Sequence, residues 1–504
     1  SWAVAQISPE QIGQLLRNDA AIKKLSLQYP AEVKEVYNTF QYQTIWFGHN
    51  FRIRELLQLF QQSANLGLNK NDYQNNAVQT IEKNPDGWNN TDSVSMELRL
   101  TDAAIYFVKD MADGNAPLQL AYNGLNYHPG CSNIAGLMAL AIQYNRLLTL
   151  PALAEQKTPE YISIKKMIIW FNRVMADSSF KEVIIKSTKA SINNKELLIK
   201  LYQLGLLDSA TQKLQEKELK AKIKSAQELF NLPADSVLRS ILVSALNVSL
   251  RYRLEELKLA INSIRSLYCI KQSSTVIIVN IPSATVLVYD HGKNILESRI
   301  IVGKRSTPTS TLSSKVTDVV LYPYWMVPYS IATKELLPAI KRNIGYIDAG
   351  NYQVINKAGK VMNPYSIDWQ SLSRSYFPYI IRQSTGCDNS LGLVKLNFYN
   401  PFGGYLHDTP AKKLFAYNKR YFSHGCMRVQ KAMELAHIVL KNNSIALDTL
   451  EDKGCLRNKA PIVVPADQQL PVFVIYSTAW IDANGRISFN EDIYRKLSAL
   501  KRND

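Results

Sequence analysis

The sequence predicts an α+β protein, helical through roughly its first 270 residues and strand-rich after them. Three observations predict this. From Gln11 to Ser266 apolar residues recur at spacings of three and four, the period of a helix with one buried stripe. From Lys271 onward the period falls to two, with β-branched residues alternating in short runs between turn residues. Between Tyr322 and Asn400 lies a stretch rich in Pro, Tyr, Ser and Asn, far longer than an ordinary strand connection; ordered insertions of that length serve as lids or binding loops.

The elements follow in order. Gln11–Leu27, Ala31–Phe40, Arg52–Ala64 and Met96–Met111 carry the first apolar stripes. Asp92 and Ser93 suit the N-cap of the fourth, because a short side-chain oxygen satisfies first-turn amides, and Gly114 suits its stop. Helices continue at Ile134–Leu148, Tyr161–Met175, Lys195–Leu204, Leu214–Phe230, Ser236–Leu246 and Tyr252–Ser266. A domain boundary falls near 268–273. Strands follow at Thr275–Ile281, Thr285–Tyr289 and Ile295–Val302, with Pro282-Ser283 and His291-Gly292 as turns. Further strands are expected at Val394–Phe398, near Tyr405–Leu406 and at Val472–Ser477, and a helix at Ala432–Lys441. No internal repeat is visible.

A chain of 504 residues suggests about three domains. With 46% hydrophobic and 20% charged residues it has the means to build real cores, which excludes a disordered tail or a collagen-like chain. The balance of 59 Lys+Arg against 42 Asp+Glu, net +17, favours anionic partners: nucleic acid, an acidic membrane face or an anionic polymer. No nucleic-acid-binding module is recognisable, so no nucleic-acid partner is expected. No apolar run reaches the length of a bilayer span; Val276–Tyr289 is broken by Asn280 and Pro282, so any membrane association is peripheral. The segment Lys181–Lys224, ten Lys against five acidic residues, reads as a solvated helical face. Ser1 is not a start methionine and no signal core follows it, as expected of an exported chain whose signal has been removed.

Five cysteines are present, and the nearest two, Cys426 and Cys455, are 29 positions apart. With no C-x-x-C, zinc ribbons and thioredoxin-type sites are excluded, and no metal or cofactor is expected. The odd number leaves at least one free thiol; the pairing among Cys131, Cys269, Cys387 and Cys455 stays open. Gly303-Lys304 lacks the glycine at position 298 that a phosphate loop requires, and no H-E-x-x-H occurs.

The chemistry concentrates in Ser423-His424-Gly425-Cys426-Met427-Arg428-Val429 and, upstream, Tyr405-Leu406-His407-Asp408-Thr409-Pro410. A thiol is mostly protonated at neutral pH, so a catalytic cysteine needs a base or a positive charge beside it. Of six histidines, His407 and His424 both fall within 19 residues before Cys426. Gly425 lets the backbone bend tightly, and amides around Gly425 and Cys426 suit a developing oxyanion. Arg428 suits either a substrate carboxylate or a structural ion pair. Papain-like and cell-wall endopeptidase cysteine enzymes place the nucleophile before the histidine; here the order is reversed.

His407, then fifteen residues, then Ser-His-Gly-Cys resembles the signature of the L,D-transpeptidases, the YkuD-domain family. The pattern is similar to the large YcbB-like (LdtD-like) periplasmic branch in Leu414-Phe415, Arg420, Val302-Gly303-Lys304 with Thr307-Pro308, Trp325 with Val327-Pro328, Arg382-Gln383, Asn389 with Leu391-Gly392, Lys395, Thr478-Ala479-Trp480 and Asp492-Ile493-Tyr494. In the first half, Leu66-Gly67-Leu68 with Tyr73, and Leu100-Thr101-Asp102 with Tyr106, resemble that branch's scaffold. Gln227, Phe230, Leu232-Pro233, Asp235 and Leu246-Asn247 resemble a peptidoglycan-binding helical module, although Asp235-Ser236 replaces its usual Asp-Gly.

The resemblance implies a helical scaffold over 1–186, a peptidoglycan-binding-like helical module over 187–248, a helix returning to the scaffold over 249–270, and a β-rich catalytic domain over 271–504 with a lid insertion at about 322–400. It implies periplasmic peptidoglycan cross-linking without a cofactor. Cys426 attacks the carbonyl of the third stem residue, D-Ala leaves, and a second stem's amine resolves the thioester into a 3→3 cross-link. In that reading His407 is the base and His424 the alternative base or a shaper of the oxyanion loop around Gly425. Arg428, Ser423, Tyr405, Asp408, Trp325 and Asn389 are the expected substrate-side residues. Partners are donor and acceptor stem peptides, with carbapenem-type β-lactams as acylating inhibitors. The rival readings are an L,D-carboxypeptidase, in which water resolves the thioester, and a non-catalytic wall-binding scaffold.

Overall fold

A computed structural model describes residues 7–83, 93–443, 447 and 459–497; Asp92 and Cys455 lie outside them. The chain is a helical region followed by a β-rich domain, as its two hydrophobic periods require. The first expected helix is two: Pro9–Arg17 and Asp19–Leu25. They separate because the Asn18 side chain accepts the Ala21 amide and so caps the second. The helix expected at Tyr252–Ser266 runs longer, Leu250–Ser273, and the first strand follows within two residues.

Two helical cores form. The first gathers Ile12, Tyr37, Trp46, Phe60, Phe107 and Met138. Glu97 is fully buried there, which is tolerable because it accepts the amides of Ile45, Trp46 and Phe47 and the Tyr37 hydroxyl. The second joins Tyr161–Val174 and Leu197–Leu246 to the helix Leu250–Ser273 and to a late hairpin, Ala479–Ile481 with Ile487–Phe489. Residues 187–248 therefore share their core with both halves of the chain. The Lys181–Lys224 segment is largely exposed, although Lys200 is buried against Glu182. A disulfide ties Cys131 to Cys269 across 138 residues, and Cys387 is also disulfide-bonded. No helix of the described residues is long and apolar enough to cross a membrane.

The β-rich domain is built on nine labelled strands: β1 Thr275–Asn280, β2 Thr285–Asp290, β3 Lys293–Gly303, β4 Leu312–Leu321, β5 Val394–Phe398, β6 Leu406–His407, β7 Tyr421–Ser423, β8 Met427–Val429 and β9 Pro471–Ile475. They pair in the order β4-β5-β6-β8-β3-β2-β1-β9, with β7 beside β3, and β9 pairs again with β4, so the ring of strands closes. Closure leaves one face for the core, where Val279, Val302, Leu396, Leu406, Met427 and Val429 meet. The helix Ala432–Leu440 adds Leu435 and Val439. The strand β4 was not expected from the sequence. Its inward Leu312 and Val316 stand among Ser313, Ser314, Lys315, Thr317 and Asp318, and its one apolar run, Val319-Val320-Leu321, is only three residues long.

The chain between β4 and β5 forms a small body of its own. Trp325–Met326, Ile380–Gln383, Tyr352–Ile355 and Val361–Met362 make a four-stranded sheet in that order. Short helices over Tyr329–Arg342, including a π-helical turn at Ala332–Leu336, pack Ile331, Leu337 and Ile340 against Trp369 and Phe377.

Candidate active site

Strand alternation decides which side chains share the outer face of the ring. Leu396, Leu406 and Met427 point into the core, so Lys395, His407 and Arg428 point the other way. The register lines these three up: Lys395 pairs with His407, and His407 pairs with Arg428. Cys426 directly precedes β8, and the Met427 amide donates to the Tyr405 carbonyl at 3.1 Å, so Tyr405 and Cys426 sit side by side at the ends of neighbouring strands.

The turn before Cys426 is held from several directions. Gly425 has φ +120°, a conformation that side-chain-bearing residues avoid. Its carbonyl accepts from Thr309 Oγ1 at 2.7 Å, and the Ser423 carbonyl accepts the Lys304 amide at 2.9 Å. Ser423 Oγ accepts the Gly425 amide at 3.2 Å and donates to the Cys426 carbonyl at 2.5 Å. Ser423 is thus a buried organiser of the turn. The Gly425 amide is already engaged, which removes one of the two donors expected for an oxyanion.

Cys426 is partly exposed and is a free thiol. Burial pushes its pKa up, and the Tyr405 hydroxyl and backbone, Lys395 and Arg428 pull against that rise. The Tyr405 side chain pulls the thiol pKa down, the sulfur in turn raises that of Tyr405, and Trp325 lowers it. Trp325 belongs to the insertion, so that body reaches the thiol through one intermediary. The Lys395 ammonium lies 4.2 Å from the centroid of the Tyr405 ring.

His407 is buried, and its ring lies 5.5 Å from that of Tyr405. Nδ1 lies 2.5 Å from the Asp408 carbonyl, which can only accept, so Nδ1 carries the proton and Nε2 is the basic nitrogen. Burial foremost, then the positive charges of Arg428 and Lys395, push its pKa down to about 3, so the ring is neutral at physiological pH. His424 faces elsewhere. Its Nε2 lies 2.7 Å from Glu335 Oε1, on the π-helical turn of the insertion, with Lys304 Nζ at 3.3 Å.

Besides Ser423, two more expected substrate-side residues are buried inside the fold. Asn389 donates to the Pro323 and Ser384 carbonyls at 3.1 and 2.8 Å and accepts the Leu391 amide, so it shapes the return of the insertion. Asp408 accepts the Leu393 amide at 3.0 Å and pairs with Lys412, and Gly392, at φ +62°, leaves the room its carboxylate occupies. Its main-chain carbonyl orients His407, while its side chain braces the approach to β5. Arg420 is buried too, donating to the carbonyls of Ser283, Ala284, Ile300, Tyr417 and Asn418. Lys395, Lys304 and Glu335 were not assigned to the site from the sequence. Lys395 and Lys304 left a trace there only as members of the family-like pattern, and Lys395 also as a lone charge alternating with Val394, Leu396 and Phe398. Among the described residues no group of three or more His, Cys, Asp and Glu is placed to hold a metal ion.

Residues 274–464 match the family model of the L,D-transpeptidase catalytic domain, YkuD, and residues 31–168 match a model described as a scaffold domain. A curated Haemophilus influenzae protein named "Putative L,D-transpeptidase" is 40% identical over 237 residues, 47% of this chain and 47% of that protein. The chain thus spans about half the length of this curated relative. Among solved structures, one described as the Ldtfm–avibactam carbamoyl enzyme is 15% identical, covering 40% of this chain and 49% of its own at a TM-score of 0.20. An L,D-transpeptidase from Mycobacterium smegmatis is 12% identical, covering 40% and 58%, at a TM-score of 0.19.

Proposed function

We propose that this chain is a periplasmic peptidoglycan L,D-transpeptidase that forms 3→3 cross-links through a thioester on Cys426. The observation that carries the reading is the shared face: a free, partly exposed thiol beside Tyr405, with a neutral His407 in the adjacent strand whose Nδ1 is committed to a carbonyl. As the sulfur attacks the carbonyl carbon of the third stem residue, its proton passes to His407 Nε2. The C–N bond to D-Ala then breaks and His407 returns the proton to the departing amine. The acceptor amine attacks the thioester, loses a proton to His407, and the thiolate leaves. The Tyr405 hydroxyl supplies a hydrogen-bond donor beside the reacting carbon, and Arg428 supplies a planar cation for a substrate carboxylate. Trp325 forms part of the wall.

The disulfide between Cys131 and Cys269 supports an oxidising compartment, as the periplasm is. The large positive charge suits a polymer that carries stem carboxylates. The test is incubation of purified muropeptide tetrapeptides with the wild type and with Cys426→Ala. Mass spectrometry is expected to find 3→3 dimers only with the wild type. Hydrolysed tripeptide without dimer would redirect the reading to a carboxypeptidase, and dimers formed by Cys426→Ala would end it. A carbapenem is expected to add its mass to the wild type alone.

A further inference from the structure

Lys395 stands where no strand residue needs a charge. Its neighbours Val394, Leu396 and Phe398 are core residues, and its own side chain is carried to the outer face between Tyr405 and His407. Among the described residues its ammonium has no hydrogen bond and no ion pair within 4 Å. The nearby carboxylate of Asp318 is taken up by Asn397 Nδ2 and the Thr317 hydroxyl, each at 2.6 Å. A half-buried ammonium without a fixed counter-ion is costly, and nothing in the packing of β5 requires it.

We propose that Lys395 is a positioning residue of the Cys426–His407 couple: its fixed charge favours ionisation of the sulfur and keeps His407 unprotonated until the reaction hands it a proton. The inference rests on the reading of Cys426 as nucleophile and His407 as base. The register puts Lys395 on one side of His407 and Arg428 on the other, so an imidazolium there is flanked by two cations. The remaining groups facing the ring are neutral: the Tyr405 ring and the carbonyls of Asp408 and Leu391. The same two cations and Tyr405 pull the Cys426 pKa down against burial, and the sulfur lies 4.0 Å from the Gly403 carbonyl. One charge thus acts on both partners, weakening His407 as an acceptor of the thiol proton while favouring the thiolate and the later donation from the imidazolium. It favours the anion at sulfur, and it makes the imidazolium a strong acid that gives its proton promptly to the leaving amine.

Removing a positive charge raises the pKa of every titrating neighbour, and this fixes the sign of the test. In Lys395→Met, two midpoints are measured on the full chain. Iodoacetamide alkylation against pH reads the thiol, with Cys426→Ala as the blank. Histidine Cε1–H resonances against pH read His407, assigned with His407→Gln. Both midpoints are expected to move up by on the order of one pH unit, and Lys395→Arg is expected to keep both near the wild type. Unmoved midpoints in Lys395→Met, or equal shifts in the Met and Arg variants, would overturn the proposal. If circular dichroism shows Lys395→Met unfolded, Lys395→Gln carries the same two expectations. Neither readout needs a peptidoglycan substrate, so a failure to cross-link and a failure of Lys395 to tune the couple are separately visible.

Discussion

The imidazole of His424 meets the carboxylate of Glu335 at 2.7 Å, joining the turn that carries Cys426 to the body inserted between β4 and β5. Lys304, on the turn after β3, approaches the same nitrogen at 3.3 Å. The contact is solvent-exposed, and exposed pairs contribute only about 0–1 kcal/mol. Glu335→Ala is expected to loosen the insertion without altering the thiol. Limited proteolysis within 322–393 should speed up several-fold while the pH midpoint of Cys426 alkylation stays in place. Unchanged proteolysis would leave the contact without a closing role.

The two histidines are expected to separate by pH. His407 is held down to about 3, so it is already neutral, and able to accept a proton, from about pH 4 upward. Wild-type acylation by a carbapenem should therefore show no histidine-like fall between pH 8 and 5. His407→Gln should slow acylation by about 100-fold or more at pH 7, with partial recovery at higher pH as the thiolate forms unaided. His424→Gln is expected to cost less and to show no such recovery, because that ring faces Glu335 and Lys304. Equal pH profiles for the two variants would reverse the assignment.

Tyr405→Phe removes the hydroxyl that pulls the Cys426 pKa down and leaves the ring that packs on Lys395 and His407. A hydrogen bond to the thiolate stabilises the charged form, so its loss should raise the thiol pKa further. Alkylation of Cys426 at pH 7 is expected to slow by roughly 3- to 10-fold, recovering as the pH rises. A midpoint that stays put or falls would show that the hydroxyl does not act on the sulfur.

Cys131 and Cys269 close a loop of 138 residues between the helical region and the helix that leads into β1. Replacing both by serine releases that constraint on the unfolded chain and is expected to lower stability by about 2–5 kcal/mol. Urea unfolding of the wild type with and without reductant, compared with the double variant, measures it. Reductant should destabilise the wild type more than the variant.

Much of the helical half was legible because each helix carries its own apolar stripe: Pro159–Ala176, Lys195–Gln203 and Glu216–Leu229 lie within two residues of the ranges read from periodicity. The break at Asn18 was not, because a cap inside a continuous stripe leaves the period intact. The strand β4 escaped because its partners on both sides lie far away in sequence, and its polar residues are satisfied only by those partners.

At the site the division is similar. By itself the sequence singled out Cys426 as the candidate nucleophile, with both histidines and the glycine turn, because their chemistry and spacing are local properties of the chain. It also determined that a long insertion exists. Only the tertiary structure decided that His407 shares a face with Lys395 and Arg428 while His424 turns to Glu335, since the first depends on the register of β6 against β5 and β8. It decided that Asn389 and Asp408 spend their side chains inside the fold, and that Trp325, Glu335, Lys304 and Lys395 gather around the turn. These residues are brought together by strand pairing and by the packing of the insertion. The free energy of such contacts comes from segments dozens to more than a hundred positions apart, and no local pattern records it.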